Sequence, residues 1–449
     1  MENNRLGSEP ITKLLFSLAI PTVLAQLVNL LYNIVDRMYV GRIPIDGSLA
    51  LAGLGVTFPI IMLVSAFAAL IGMGGAPRVS IAMGKKDNDE AEKIMGNCFT
   101  MLTVIAIVLS VVFYFAKDWI LIKFGASPDT LPFASQYLSI YLMGTLFVQY
   151  ALGMNMFITT QGFAKISMAT VCLGAITNIV LDPIFIFGFN MGVQGAALAT
   201  ILSQAVSAIW VIYFLTSKKS LLKLRVSNLR CSKKIIVPIL ALGLSPFIMQ
   251  ATECLVQLTF NTQMVRYGND MYVALMSILF SIMQFVWMPM QGFAQGAQPI
   301  MSYNYGAGNL ERVKKTFKLL FTMCLTFSLI IVGTVLLNPE FFIKLFTPDE
   351  QLITMGTETL RIFMAGMLIM GAQSACQQTF LALNEAKISM FLAFLRKIIL
   401  LIPLAFFLPT IGNLGINGVF LAESLSDFLA VCVTVTLFFL YARKKFKKV

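Results

Sequence analysis

The segment GMGGAPRVSIAMGKKDNDEAEK at residues 72–93 has a second copy, GFAQGAQPIMSYNYGAGNLERVKK at residues 292–315, and this pair decides the fold. Gly84 in the first copy aligns with Gly306 in the second, 222 residues later. Self-similarity at a fixed spacing is the sequence signature of a duplicated architecture. The chain is therefore predicted to consist of two related halves.

Two further matches support the duplication. The pentapeptide AKISM occurs at 164–168 and again at 386–390, at the same spacing, and GVQGAALA at 192–199 matches GINGVFLA at 415–422, one residue further apart. Collinear matches at nearly one spacing indicate a repeat that covers most of each half. If each half contains an even number of membrane spans, both halves enter the membrane in the same orientation.

The composition indicates a membrane protein. Of the 449 residues, 58% are hydrophobic and 12% are charged, whereas a soluble domain has about 25% charged residues. A membrane span needs ~20 mainly apolar residues, and that window predicts an all-α polytopic membrane protein with twelve transmembrane helices in two parallel six-helix repeats. The predicted spans lie near 14–36, 49–72, 95–116, 134–151, 166–188, 193–215, 235–261, 272–292, 316–337, 360–382, 388–409 and 415–441.

The positions of the spans divide the chain into two lobes and a linker, and the charges between the spans predict its orientation in the membrane. Helices 1–6 form an N-lobe at 1–215, a basic cytoplasmic linker occupies 216–234, and helices 7–12 form a C-lobe at 235–449. Most Lys and Arg residues between spans fall on the side of the N-terminus, which predicts cytoplasmic termini in a multi-pass protein of the plasma (inner) membrane. The linker is expected to lie against anionic lipid headgroups. The net charge of +12 thus reflects topology, and we expect no nucleic-acid partner.

The sequence gives little support for an enzyme or a metal-binding protein. The chain has no histidine, and its seven cysteines form no CxxC pair, so it offers neither an imidazole base nor a zinc or disulfide framework. An intramembrane enzyme, such as a transferase, would need clustered catalytic residues. We therefore expect no enzyme activity and no cofactor, and no metal beyond a possible Na⁺.

Four polar residues of the first half lie within predicted spans. Asp36 lies in the first span, Asn178 and Asp182 share a helical face in the fifth, and Thr200 lies in the sixth. Ionisable side chains at membrane depth are costly and mark functional sites. Because no Lys or Arg lies in the middle of these spans, the two carboxylates are expected to bind a proton or a small hard cation such as Na⁺.

The second half carries different polar residues. Glu253, Gln257, Gln284 and Gln291 are candidates for a polar, substrate-binding cavity of the C-lobe. The alternative for each amide is an interhelical hydrogen bond that only holds helices together.

A basic pair also lies inside the second half. Arg396 and Lys397 occur well within the eleventh span, and Glu423 and Asp427 lie four residues apart in the twelfth. A salt bridge from Arg396 to one of these carboxylates is the favoured interpretation.

The chain resembles the multidrug and toxic compound extrusion (MATE) transporters over essentially its full length. The resemblance rests on SLAIPTVLAQLVNLLYNIVDRMYVG at 17–41, on TNIVLDPIFIFG at 177–188, and on the repeated loop motif that ends at Gly84 and Gly306. It implies a V-shaped pair of helix bundles that exports small cationic, amphipathic drugs by alternating access, in exchange for protons or Na⁺. We expect a monomer whose other partner is membrane lipid.

The resemblance also assigns roles to residues. It implies that Asp36, Asn178, Asp182 and Thr200 bind the coupling cation, that Pro21 is a hinge in the first helix, and that Glu253 is the acidic residue of the seventh helix. The aspartate that some members have in the tenth helix is missing, since that span offers Gln373, Gln377 and Gln378.

The alternative function within the same superfamily is a lipid-linked precursor flippase. Such a protein would need more basic residues in its central cavity to hold a pyrophosphate.

Overall fold

The computed structural model describes residues 5–44, 46–412 and 414–446. Eleven of its helices are long and apolar enough to cross a membrane, and a bent helix pair makes the twelfth. In chain order the twelve are α1 Ile11–Gly41, α2 Gly47–Gly84, α3 Asn88–Lys123, α4 Leu131–Met143 with Thr145–Thr160, α5 Ala164–Gly188, α6 Gly192–Thr216, α7 Lys233–Tyr267, α8 Met271–Gly306, α9 Leu310–Leu337, α10 Glu350–Ala382, α11 Ala386–Thr410 and α12 Gly415–Lys445. The predicted all-α architecture of twelve spans is confirmed.

Helix α4 is bent, which the sequence prediction of one span at 134–151 missed. Its two pieces meet at an angle of 63° at Gly144. A Cβ atom at Gly144 would lie 2.5 Å from the side chain of Ile201, so a glycine lets α4 approach α6 closely at the bend. The repeated segments around Gly84 and Gly306, which we predicted to be loops, are the ends of α2 and α8.

The hydrophobic cores show where the two halves are joined. One core contains only residues from 40–197 and another only residues from 256–431, so each half has an interior of its own. A further core combines both halves and includes Leu18 of α1 and Ile300 of α8. The halves are therefore joined at the end of the bundle that carries residues 216–234, here called the linker end, and have separate cores towards the opposite end.

Two repeat-related glycines bring the halves together at the linker end. A Cβ atom at Gly84 would lie 2.0 Å from the carbonyl oxygen of Tyr303, and one at Gly306 would lie 2.1 Å from that of Ile81. Ile81 and Tyr303 are themselves separated by the repeat spacing. The contact is therefore nearly symmetric, and the pseudo-two-fold axis passes between α2 and α8.

Residues with a positive φ angle occur at repeat-related positions in the two halves. Eight residues with a left-handed backbone conformation fall into four pairs at the repeat spacing, to within one residue. The pairs are Lys86 and Gly308 (φ 65° and 76°), Gly162 and Asn384 (91° and 62°), Asn190 and Gly412 (52° and 53°), and Gly192 and Gly415 (55° and 47°). Because non-glycine residues rarely adopt this conformation, matched pairs show that the turns between helices survived the duplication while their sequences diverged.

The linker is fastened to the first half by hydrogen bonds to its backbone. Gln161 Oε1 accepts hydrogen bonds of 2.9 Å from the Ser220 hydroxyl and the Leu222 amide. Glu92 Oε1 accepts one of 2.9 Å from the Lys223 amide. Buried side chains that satisfy backbone amides fix the path of a connection, so this segment is part of the N-lobe surface. Its contact with lipid headgroups stays a prediction.

Candidate functional site

Helices α1 and α5 bring two carboxyl groups together inside the first half. The Asp36 carboxyl lies within hydrogen-bonding reach of the Asp182 carboxyl. Asn178 Nδ2 donates a hydrogen bond of 3.4 Å to Asp182 Oδ1. Two ionised carboxylates cannot hydrogen-bond each other, so this arrangement needs a proton or a cation between them.

The local sequence explains how α5 presents these groups. Asn178 and Asp182 are one helical turn apart, and Pro183 is followed by a π-helical turn at Ile184–Gly188. Wider turns of this kind often occur at functional sites, because they re-aim nearby side chains. A Cβ atom at Gly195 would lie 2.7 Å from the backbone of Phe185, so a glycine lets α6 pack tightly against this turn.

Unsatisfied oxygen atoms mark the same place. Asp36 Oδ1, Asn178 Oδ1 and Asp182 Oδ2 are all buried and have no hydrogen-bond partner. Buried polar atoms without partners are rare and indicate an ion or a proton that completes the site. The oxygen set of two carboxylates and an amide is one that suits Na⁺ as well as H⁺.

The site has a buried side and an accessible side. Asn178 and Asp182 are fully buried, whereas Asp36 remains partly exposed. A cation from solution would therefore reach Asp36 first and Asp182 second.

Tyrosines line the site, and the sequence analysis did not identify them. Tyr137 lies beside Thr200 and near Asp36, so Tyr137 connects Thr200 with the carboxyl pair. Tyr32 lies near both carboxyl groups, and Tyr141 lies beside Tyr32. Tyr32 could have been found, because it precedes Asp36 by four residues and shares its helical face. Tyr137 could not, since its span carries no other signal of the site.

Pro21 lies in α1 where the two halves meet. It is buried within a continuous helix, and Thr22 Oγ1 donates a hydrogen bond of 2.7 Å to the carbonyl of Gly292 in α8. Proline has no amide hydrogen, so the carbonyl of Ser17 loses its usual intrahelical partner. Helix α1 is thus weakened beside the contact that closes the linker end.

The predicted C-lobe cavity residues lie on α7 and α8, and their role in binding substrate stays a prediction. Glu253 pairs with Lys397 at short distance. Gln257, Gln284 and Gln291 are partly exposed on α7 and α8. A side-chain amide pair that crosses between the halves is a different one, the 3.2 Å hydrogen bond from Gln26 Nε2 to Gln295 Oε1.

The predicted salt bridge of Arg396 is confirmed. Its Nε donates to Asp427 Oδ1 at 2.8 Å, and its Nη2 donates to Glu423 Oε1 at 3.4 Å. The guanidinium also lies over the ring of Trp287, 5.4 Å from its centre. A π-helical turn at Leu395–Leu401 presents both Arg396 and Lys397 to the interior.

Comparisons with known proteins agree with this architecture. A multidrug export protein MepA from Staphylococcus haemolyticus is 26% identical over 95% of this chain and 94% of its own. A protein of the same name from Staphylococcus saprophyticus is 24% identical over 94% of this chain and 92% of its own. A solved structure described as the outward-facing conformation of a multidrug resistance MATE family transporter has a TM-score of 0.92 at 22% identity, with 100% of this chain and 99% of that chain covered.

The family assignment rests on a match in each half. The model of the family described as MatE matches residues 21–184 and again residues 246–407. These matches cover most of the chain and separate at the linker. They include the carboxyl pair of α1 and α5 in the first copy and the basic pair of α11 in the second. The chain therefore belongs to the MatE family, the MATE transporters that its sequence resembles.

Proposed function

We propose that this protein exports small cationic, amphipathic drugs across the plasma membrane in exchange for H⁺ or Na⁺, with both termini in the cytoplasm. The single observation that carries the proposal is the buried pair of facing carboxyls, Asp36 and Asp182, with unsatisfied oxygen atoms around it. The names of the MepA relatives supply the class of substrate. The geometry supplies the reason for coupling, because the pair is stable only when a cation or proton occupies it.

The shape of the molecule supports an exchange that passes through alternating states. The halves pack together at the linker end and have separate cores towards the other end, so the space between them opens away from the linker. With cytoplasmic termini, this is the outward-facing state. A cation from outside would then reach the partly exposed Asp36 before the buried Asp182.

Coupling follows if cation and drug prefer different states of one equilibrium. Occupation of the Asp36–Asp182 pair removes charge repulsion between α1 and α5, and we propose that α1 then bends at Pro21 and displaces drug from the cleft. The partly exposed Glu253, Gln257, Gln284 and Gln291 are proposed to contact drug from the C-lobe. The membrane potential supplies ~2.3 kcal/mol per charge per 100 mV.

The flippase alternative is less well supported by the charges. Arg396 and Lys397 are its candidate groups for a pyrophosphate, and both are already paired with carboxylates of the same lobe. A paired cation binds a phosphate only if it gives up a buried partner, which is costly.

The experiment is ethidium export by cells that express the protein. We expect Asp36→Asn and Asp182→Asn each to lose most export, because the amide cannot bind the proton or replace the carboxylate charge. The matched control is Asp118→Asn, a largely exposed carboxylate at the end of α3 that pairs with Lys117. Export by both site variants at the wild-type rate, with equal amounts of protein in the membrane, would show that the pair does not couple transport.

A further inference from the structure

The C-lobe contains a buried cluster of charges that does not balance. Glu253, Glu423 and Asp427 supply three carboxylates, and Arg396 and Lys397 supply two cations. Within the residues that the structure describes, these are the charged groups that face Glu423 from α7, α11 and α12. With every group ionised the cluster would carry one excess negative charge, in a lobe whose interior is apolar.

The depth of the cluster makes that excess charge significant. Glu423 and Asp427 are 2% and 0% exposed, and Arg396 and Lys397 are 6% and 7% exposed. A buried charge without a partner is normally removed by a proton or matched by a counterion. The cluster therefore lacks one positive charge.

Two oxygen atoms show where that charge belongs. Glu423 Oε2 and Asp427 Oδ2 are buried without a hydrogen-bond partner, while the other oxygen of each carboxyl is bound to Arg396. The two carboxyls lie one helical turn apart on α12, so they share a face. If one of the two carboxyls is protonated, its O–H can donate a hydrogen bond to the free oxygen of the other. That single proton would satisfy both oxygen atoms and cancel the excess negative charge.

The repeat places this cluster on the helices that correspond to those of the cation site in the first half. Glu423 corresponds to Thr200, at the spacing by which 415–422 repeats 192–199. The N-lobe site is built from α1, α5 and α6, and the cluster is built from α7, α11 and α12, their counterparts. In the C-lobe, Arg396 and Lys397 are therefore fixed cations on a helix whose N-lobe counterpart, α5, carries Asn178 and Asp182.

The groups around the two carboxyls favour a proton over a metal ion. Two buried oxygen atoms, Glu423 Oε2 and Asp427 Oδ2, lack a partner, and the Arg396 guanidinium that bonds both carboxyls repels a second cation. A sodium ion needs several oxygen ligands around it, whereas a proton needs no space of its own.

We propose that Glu423 and Asp427 share an exchangeable proton, so that the C-lobe contains a proton site of its own, separate from the Asp36–Asp182 pair. The proton arrives as H⁺ from the cleft, where the Glu253 side chain is 23% exposed, and binding converts one carboxylate to a carboxylic acid without any other bond change. The site itself does not depend on the proposed function. A role of this proton in coupling drug export would rest on the proposed function.

Infrared difference spectroscopy on the purified protein tests the site directly, through the carbonyl band of protonated carboxyls during a pH change. The Asp36→Asn/Asp182→Asn protein removes the N-lobe carboxyls, and we expect one such band to remain. Adding Glu423→Gln should abolish it, because one buried negative charge then balances Arg396. Asp427→Asn should do the same if Glu423→Gln does not fold, as judged by size-exclusion chromatography. Glu385→Gln, at a partly exposed carboxylate that pairs with Lys445, should leave the band unchanged.

Three results would overturn the proposal. The first is that the Asp36→Asn/Asp182→Asn protein shows no carbonyl band. The second is that the band persists after both Glu423→Gln and Asp427→Asn. The third is that Na⁺ removes the band at constant pH. The last would show that a metal ion occupies the site instead. Because no drug transport is measured, these results do not depend on whether the protein is an antiporter.

Discussion

The contact between Gly84 and Gly306 predicts how tightly the linker end closes. In Gly84→Ala the new methyl group would start 2.0 Å from the carbonyl oxygen of Tyr303. Ordinary contacts of this kind are 3.4–4 Å, so α2 and α8 must separate by more than 1 Å. The obstacle is rigid backbone, which cannot rotate away as a side chain could.

Overpacking of this kind costs about 1–3 kcal/mol. Since the cost falls on the state in which the halves touch, we expect Gly84→Ala to shift the equilibrium towards a state with an open linker end by about 5- to 150-fold. Gly306→Ala should act similarly, because its methyl group would start 2.1 Å from the carbonyl of Ile81. The matched control is Gly55→Ala in the same helix, where a methyl group would meet nothing within 4 Å.

The assay is a distance measurement by double electron–electron resonance. Spin labels at the repeat-related surface positions 89 and 311, one in each half, would report the separation of the halves at the linker end, after the exposed Cys231 and Cys432 are replaced by serine. We expect a longer distance to gain population in Gly84→Ala and no change in Gly55→Ala. Identical distance distributions for Gly84→Ala and wild type would refute the inference that this contact closes the molecule.

Three further variants test other parts of the account. Arg396→Ala should lower the melting temperature strongly, because it leaves two buried carboxylates unpaired, at about 3–5 kcal/mol. Gln161→Ala should speed tryptic cleavage within 216–234, because the buried Leu222 amide loses its acceptor, at about 1–3 kcal/mol. Pro21→Ala should slow export, because alanine restores the helical hydrogen bond to Ser17 and favours a straight α1 by up to about 3 kcal/mol.

Each of these variants has a matched control. Arg361→Ala removes an exposed arginine whose Nε donates to the carbonyl of Leu336, and should leave the melting temperature nearly unchanged. Gln351→Ala removes an exposed glutamine, and should leave linker proteolysis unchanged. Pro238→Ala, near the start of α7, should export at the wild-type rate. A variant that behaves like its control would contradict the role given to its residue.

The architecture could be predicted because the membrane imposes it. Helices that cross lipid must satisfy their own backbone and present apolar surface, so span number follows from hydropathy and the relation of the halves follows from the repeat. The bend at Gly144 could not be predicted, since it depends on Ile201 of another helix. The attachment of the linker through Gln161 depends likewise on a contact distant in sequence.

The candidate sites were predictable to different degrees. Asp36 and Asp182 stand out because carboxylates at membrane depth are rare, and the partnership of Arg396 with the α12 carboxylates follows from the same reasoning. The tyrosines around the first carboxyl pair were missed, because aromatic residues such as Tyr137 and Tyr141 are common in apolar spans. Only the packing of the helices places them beside the carboxyls. The charge imbalance in the C-lobe could not be predicted, because it depends on the ion pair between Glu253 and Lys397. The sequence alone does not show that α7 packs against α11.

The central claim is that cation binding at Asp36 and Asp182 drives drug export. Its most direct test is drug transport by the protein in sealed proteoliposomes under an imposed pH gradient or an imposed Na⁺ gradient, applied separately, in the wild type and in Asp36→Asn. We predict that one of the gradients drives transport by the wild type and that Asp36→Asn does not respond to it. Transport that is independent of both gradients, or a full response in Asp36→Asn, would contradict the account.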